Sequence, residues 1–234
     1  MRLPFNVDLS KKIVAITGAA GVICSEFART LAACGAKVAL LDINFEAAKT
    51  VADEIGQNAI AIRCDCLDKQ SIMAARETIV ESFGKVNLLI NGAGGNNPRA
   101  TCDNEVMTAQ ADSVKNFFRL EESGIRFVFD LNIITAFLVT QVFAEDMVKE
   151  GGNIINISSM NAFRPLTKIP AYSADKAGIS NLTQWLAVHF ATWNIRVNAI
   201  TPGFFVTNQN KALLFDQQGS PPARTKKILL ATPR

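Results

Sequence analysis

Six short apolar runs recur along the chain: "KIVAIT" (12–17), "KVALLD" (37–42), "AIAIRC" (59–64), "VNLLIN" (86–91), "GNIINIS" (152–158) and "IRVNAIT" (195–201). Their apolar positions are continuous rather than alternating, the pattern of strands covered on both faces. Between them lie amphipathic stretches at about 23–34, 45–56, 69–83, 130–150 and 172–192, whose periodicity predicts helices. Strand and helix in regular alternation predict an α/β fold, a doubly wound parallel sheet in a three-layer αβα arrangement. No repeat or long linker divides the chain, so one domain over 1–234 is expected. Two segments stand apart from the alternation, 95–129 and 207–234, and both are expected on the substrate side of the sheet.

Composition narrows the function classes. Hydrophobic residues make up 49% of the 234, charged residues 19%, and the net charge is +3. That charge is too small, and too scattered, to argue for nucleic acid or an anionic membrane as partner. No apolar run approaches the roughly 18 residues of a membrane span, and "MRLPFNVDLSKK" lacks the apolar core of a signal peptide, so a cytoplasmic protein is expected. Five cysteines form no C-x-x-C pair and read as reduced thiols. With His189 the one histidine, no metal site is expected.

The stretch "KIVAITGAAGVICSEFARTLAACGAKVALLD" carries the first chemistry. A strand enters a turn at Gly18 and a helix opens near Val22, where unpaired backbone N–H groups attract a phosphate. Gly18, Gly21, Val22 and Ile23 are the residues placed to receive a pyrophosphate. Asp42 ends the next strand and suits the two hydroxyls of an adenosine ribose. It would repel a 2′-phosphate, and no Lys or Arg lies between Gly18 and Cys24 or just after Asp42 to attract one. NAD(H) is therefore expected over NADP(H). Asp65 and Cys66 at the end of the third strand would face the adenine, and Asn91, Gly92 and Ala93 at the end of the fourth would leave room for the cofactor. A turn that binds nothing remains the other reading of these residues.

Tyr172 is the sole tyrosine, and Lys176 follows at i+4, on the same helical face. Upstream, "GGNIINISSMNA" ends a strand in Ser158–Ser159, with a loop long enough to return Ser159 beside the phenol. A ring that packs and a lysine that reaches solvent would explain the pair alone; the strand and loop around it favour a site.

Taken in order, "TGAAGVIC", "CD", "NGAG", Asn132 in "FDLNIITAF", "ISS…Y-x-x-x-K" and "RVNAITPG" resemble the short-chain dehydrogenase/reductase family over about residues 10–207. The resemblance implies a Rossmann fold and NAD(P)-dependent interconversion of a secondary alcohol and a ketone. It implies Tyr172 as acid/base and Lys176 as the charge that lowers its pKa and binds the nicotinamide ribose. Ser159 would hold the substrate oxygen, Asn132 a water, and Pro202 and Gly203 would line the nicotinamide. It also implies a homodimer or homotetramer through helices 130–150 and 172–192. Two departures stand out: Val22 and Cys24 occupy glycine positions of the family's turn, and the chain ends at "ILLATPR", before the family's usual last strand. Arg99, Arg164, Lys168 and Asn208 fall on loops that should rim the pocket, where cations and an amide suit a sugar acid. Within the family, "NISSMNAFRPLTKIPAYSADKAG" and "NAITPGFFVTNQN" are most similar to the D-mannonate oxidoreductase (fructuronate reductase) group. Gluconate-type acids, 3-oxoacyl thioesters and steroids remain alternative substrates, and a nucleotide sensor without turnover an alternative class.

Overall fold

The structure is a computed structural model, and it describes residues 7–107, 114–206, 211–216, 218–222, 225, 226 and 230. Six strands form one sheet: β1 (Ile13–Thr17), β2 (Lys37–Asp42), β3 (Ala59–Arg63), β4 (Leu88–Asn91), β5 (Gly152–Ile157) and β6 (Ile195–Ile200). Their order is β3-β2-β1-β4-β5-β6, and every pairing is parallel. The chain winds outward from β1 in one direction and from β4 in the other. Between these two strands the connections part, and a crevice opens at their carboxyl ends. Among the described residues β6 is the outermost strand on its side of the sheet.

Strands β1 to β5 each feed two cores, whereas β6 feeds one and turns Arg196, Asn198 and Ile200 outward. On β1, Val14 and Ile16 pack with α1 (Val22–Ala33) and α2 (Phe45–Ile55), whereas Ala15 joins the opposite core under α3 (Lys69–Ser82), α5 (Thr135–Met147) and α6 (Pro170–His189). Side-chain alternation along buried strands thus produces the three layers. Local signals set several helix ends. The side chains of Asn44 and Asp68 accept from Ala47 N–H and Gln70 N–H at the starts of α2 and α3, and Pro170 opens α6 where its missing N–H is harmless.

The segment 95–129 holds short 3₁₀ turns at Pro98–Ala100 and Phe117–Arg119, then α4 (Glu122–Phe129). A π-helical turn, Asp130–Ile134, joins α4 to α5. This makes one helical run of 26 residues from Glu122 to Met147, with a mean hydropathy of 1.8 over its most apolar 18 residues. The expectation that no apolar run approaches the length of a span is therefore corrected. The physical reason is packing: half of that window is buried within the protein, with Val139, Val142, Phe143 and Met147 in the core.

By compactness the chain groups into two units, Met1–Thr201 and Pro202–Arg234. The first contains the whole sheet. The second contains Pro202 and Gly203 and a single helical turn, Lys211–Leu214. Asn208 lies outside the described residues.

Candidate active site at the carboxyl edge of the sheet

The glycine turn leaves β1 at Thr17. Gly18 takes φ +62°, and a Cβ there would lie 2.9 Å from the backbone of Gly92 and Ala93. Conformation and space both require glycine. Thr17 Oγ1 accepts from the N–H groups of Gly92 (3.1 Å) and Ala93 (3.2 Å), tying the two sides of the crevice together. Gly21 precedes α1 without any side-chain cap. The first N–H groups of that helix, those of Val22 and Ile23 among them, lie before its hydrogen-bonded ladder begins. Asp42 spans this turn: one carboxylate oxygen accepts from Ala20 N–H at 2.9 Å, the other from Asn44 N–H at 2.9 Å. The uncapped helix start, the glycine at positive φ and the carboxylate at the end of β2 fit a dinucleotide.

Val22 and Cys24 fit the turn in different ways. Val22 turns outward and is exposed. Cys24 is buried and occupies the space that a side chain at Gly92 would fill. The missing third glycine of the turn is thus matched by a glycine on the facing strand end. Burial pushes the Cys24 thiol up to about 12, Asp42 adds to the rise, and Lys176 opposes it.

Of the other expected cofactor residues, Asp65 is exposed and accepts from Leu67 N–H at 2.9 Å, while Cys66 is buried in the core beside Cys64. Asn91 is buried, and its amide nitrogen donates to Thr140 Oγ1 (2.9 Å) and Asn156 Oδ1 (2.8 Å). Its side chain is thus engaged beneath the crevice. Asn156 in turn donates to Thr183 Oγ1 at 2.9 Å, so a buried polar chain links β4, β5, α5 and α6. Thr17, Thr140, Asn156 and Thr183 were not expected from sequence. Threonine and asparagine within apolar stretches were the available signal.

Asn132 sits in the π-helical turn, a feature frequent at functional sites. Its amide nitrogen donates to Gly95 O (2.9 Å) and Val128 O (2.6 Å), and its Oδ1 accepts from Gly95 N–H (3.0 Å). One lone pair of Oδ1 remains. Any side chain at Gly94 would strike this oxygen and would lie 3.3 Å from Lys176 Nζ, so both groups border the same gap.

Lys176 is buried, and its ammonium donates to Ile157 O at 2.8 Å and lies 5.6 Å from the centre of the Tyr172 ring. The ring packs with Ala100, Ile125, Val128, Phe129 and Ala171, so the 95–129 segment forms one wall of the phenol's pocket. The Ser159 hydroxyl is near enough to the phenol to favour its ionised form, and it accepts from Asn161 N–H at 3.2 Å. The fold therefore brings together Ser159, Tyr172 and Lys176, with Asn132 beside them across Gly94.

The lowering expected of Tyr172 counts on Lys176 together with a charged nicotinamide ring; the protein by itself shifts the phenol the other way. Burial pushes the phenol up, Ser159 offsets part of that, and Asp175 adds to the rise. The Lys176 ammonium is held by Ile157 O and lies over the ring. Lys176 itself falls to about 8, mainly by burial, with Asp175 and Cys24 favouring its charged form. Asp175, unnoticed in the sequence, rises to about 7 through burial, opposed by Lys176.

The expected substrate cations behave differently from one another. Arg99 is exposed and pairs with Glu121 at 3.7 Å, which satisfies its charge within the 95–129 segment. Arg164 is exposed on the loop after Ser159. Lys168 is half-buried, and its carbonyl accepts from Cys102 N–H at 2.7 Å, joining that loop to the 95–129 segment.

Comparisons with known proteins agree with this geometry. The family model described as short chain dehydrogenase matches residues 12–218. An uncharacterized oxidoreductase of Haemophilus influenzae is 55% identical, over all of this chain and 84% of that protein. The 7alpha-hydroxysteroid dehydrogenase of Escherichia coli K12 is 34% identical over 97% of this chain and 82% of its own length. A 2-dehydro-3-deoxy-D-gluconate 5-dehydrogenase of Dickeya dadantii is 31% identical over 95% of this chain and 81% of its own length. A crystal structure from Haemophilus influenzae, of a protein provisionally named D-mannonate oxidoreductase and with bound NAD, superimposes with a TM-score of 0.93. It shares 55% identity, over 97% of this chain and 83% of that one.

Proposed function

The chain belongs to the short-chain dehydrogenase family and is an oxidoreductase; on that premise we propose that it interconverts a secondary alcohol and a ketone of a sugar acid, D-mannonate and D-fructuronate, with NAD(H) preferred over NADP(H). The observation that carries this reading is the convergence of Ser159, Tyr172 and buried Lys176 at the edge of the crevice. Bound nicotinamide supplies the hydride chemistry.

The chain supplies the rest. The Val22 and Ile23 N–H groups and Gly18 would hold the pyrophosphate, and Asp42 the adenosine ribose, at the cost of repelling a 2′-phosphate. Gly92 and Ala93 keep the crevice open, and Asp65 stands at its adenine end. Ser159 holds the substrate oxygen while Tyr172 gives or takes its proton. Lys176 spends one of its three donors on Ile157 O, which leaves two for a ribose hydroxyl and a water shared with Asn132. Arg164 and Lys168, on the loop between Ser159 and Tyr172, suit a carboxylate at the pocket rim.

The Haemophilus protein with bound NAD, and the 2-dehydro-3-deoxy-D-gluconate 5-dehydrogenase among the relatives, support the cofactor and the sugar-acid class. The exposed Phe137, Trp185 and Val188 on α5 and α6 support self-association through those helices. A panel of hexonates, gluconate-type acids, a steroid and a 3-oxoacyl thioester, followed by NADH absorbance, tests the substrate. Turnover of a steroid or thioester with none of any hexonate overturns it. Tyr172→Phe should lower turnover at least about 100-fold, the low end for acid/base catalysis, with NADH binding retained. Near-normal turnover in that variant would remove the assigned role of the phenol.

A further inference from the structure

The site contains one buried ionisable group that the reading above does not use. Asp175 is fully buried, three residues after Tyr172 and one before Lys176, with all three on the inward side of α6. Both of its carboxylate oxygens lack a partner in full hydrogen-bond geometry. The Ile133 backbone N–H of the π-helical turn steadies the ionised form without meeting that geometry. Helix and turn are pressed together here: a Cβ at Gly178, one position along, would lie 2.8 Å from Ile133 Cδ1. A carboxylate held dry without partners is strongly disfavoured, unless a neighbouring charge compensates. The neighbouring charge is that of buried Lys176, which favours the ionised carboxylate without a direct ion pair.

We propose that Asp175 is a positioning residue of the proton switch: its buried carboxylate keeps Lys176 protonated and holds the proton on Tyr172. The proposal rests on the reading of Tyr172 as acid/base. Through Lys176, Asp175 strengthens the positive charge that binds a ribose hydroxyl; through space, it disfavours phenolate. The two actions follow from one buried negative charge, three residues after Tyr172 and one before Lys176 on α6. The titratable groups that face it are Tyr172 and Lys176 from α6 and, through Lys176, Cys24 from α1. From the π-helical turn the Ile133 N–H faces it, while the turn's one acid, Asp130, is exposed.

The sole tyrosine makes the test site-specific, because phenolate absorbance in the near ultraviolet then reports Tyr172 alone. The unliganded protein is titrated in its native form and as Asp175→Asn, which removes the charge and keeps the size. The native midpoint should lie above roughly 10, the ordinary value for tyrosine. The Asp175→Asn midpoint should fall below the native one by about one pH unit, the lower end for a close charge. The pH profile of kcat/KM for alcohol oxidation should move to lower pH by a similar amount. Asp175→Ser should shift both in the same direction. An unchanged phenolate midpoint in either folded variant overturns the proposal, as does a native midpoint at or below that of free tyrosine. Failure of both variants to fold overturns it too, since that would make Asp175 a packing residue. None of these titrations requires turnover. Loss of the acid/base reading would appear separately, as retained activity in Tyr172→Phe.

Discussion

Gly18 shows how much one position does. Alanine there would meet a left-handed backbone, which costs a side-chain-bearing residue about 1–2 kcal/mol, and a Cβ 2.9 Å from the backbone of the facing strand end. Gly18→Ala should therefore destabilise the protein by at least about 2 kcal/mol and lower Tm by about 4–8 °C. Thermal unfolding would measure this, and NADH titration should show weakened binding. Gly18, Tyr172 and Lys176 were legible because their chemistry depends on spacing along the chain, which a sequence displays directly. Asp175 was not. An acid in a helix ordinarily points to water, and only the packing of α6 on the π-helical turn encloses this one. The upward pull on the Tyr172 phenol is hidden for a related reason: sequence places Lys176 near it but does not show the burial that dominates its shift.

At the scale of elements, apolar periodicity located every strand of the sheet to within two residues, because buried parallel strands are short and uninterrupted. The helix expected at 130–150 in fact extends back to Glu122, through the π-helical turn. Its first turns lie in a polar stretch whose burial comes from Tyr172 and Ala171, far away in sequence. The extra residue in that turn is fixed by Asn132, whose amide serves Gly95 at both backbone groups and Val128 O. Asn132→Ala leaves those groups without their partner, at about 1–3 kcal/mol for each buried one. It should lower stability by at least about 2 kcal/mol in denaturant titration and loosen Gly95, seen as faster amide exchange at its N–H.

For the whole molecule, the buried pair on α6 makes stability depend on pH in two opposed windows. Asp175 has a folded pKa raised to about 7, so the folded state binds its proton more tightly than the unfolded chain. Its contribution is fully present below about 4, the ordinary aspartate range, and is lost as pH rises through 7. Lys176 has a folded pKa lowered to about 8, so its unfavourable burial is relieved as pH rises from there toward its ordinary value. Thermal unfolding of the native protein minus that of Asp175→Asn should therefore decline between about pH 4 and 7. A flat difference across that range would count against the raised Asp175. The two-unit grouping and the grouping of loops around Tyr172 depend on long-range contacts, which no local pattern records.

Cys24 and Gly92 share one volume across the nucleotide crevice. What the fold demands is therefore a total thickness, and either wall can satisfy it. Glycine at 24 would open a void and license a small residue at 92; a larger residue at 92 alone would collide. The two positions are coupled in one direction: a side chain at 92 requires a smaller residue at 24, whereas 24 can shrink alone.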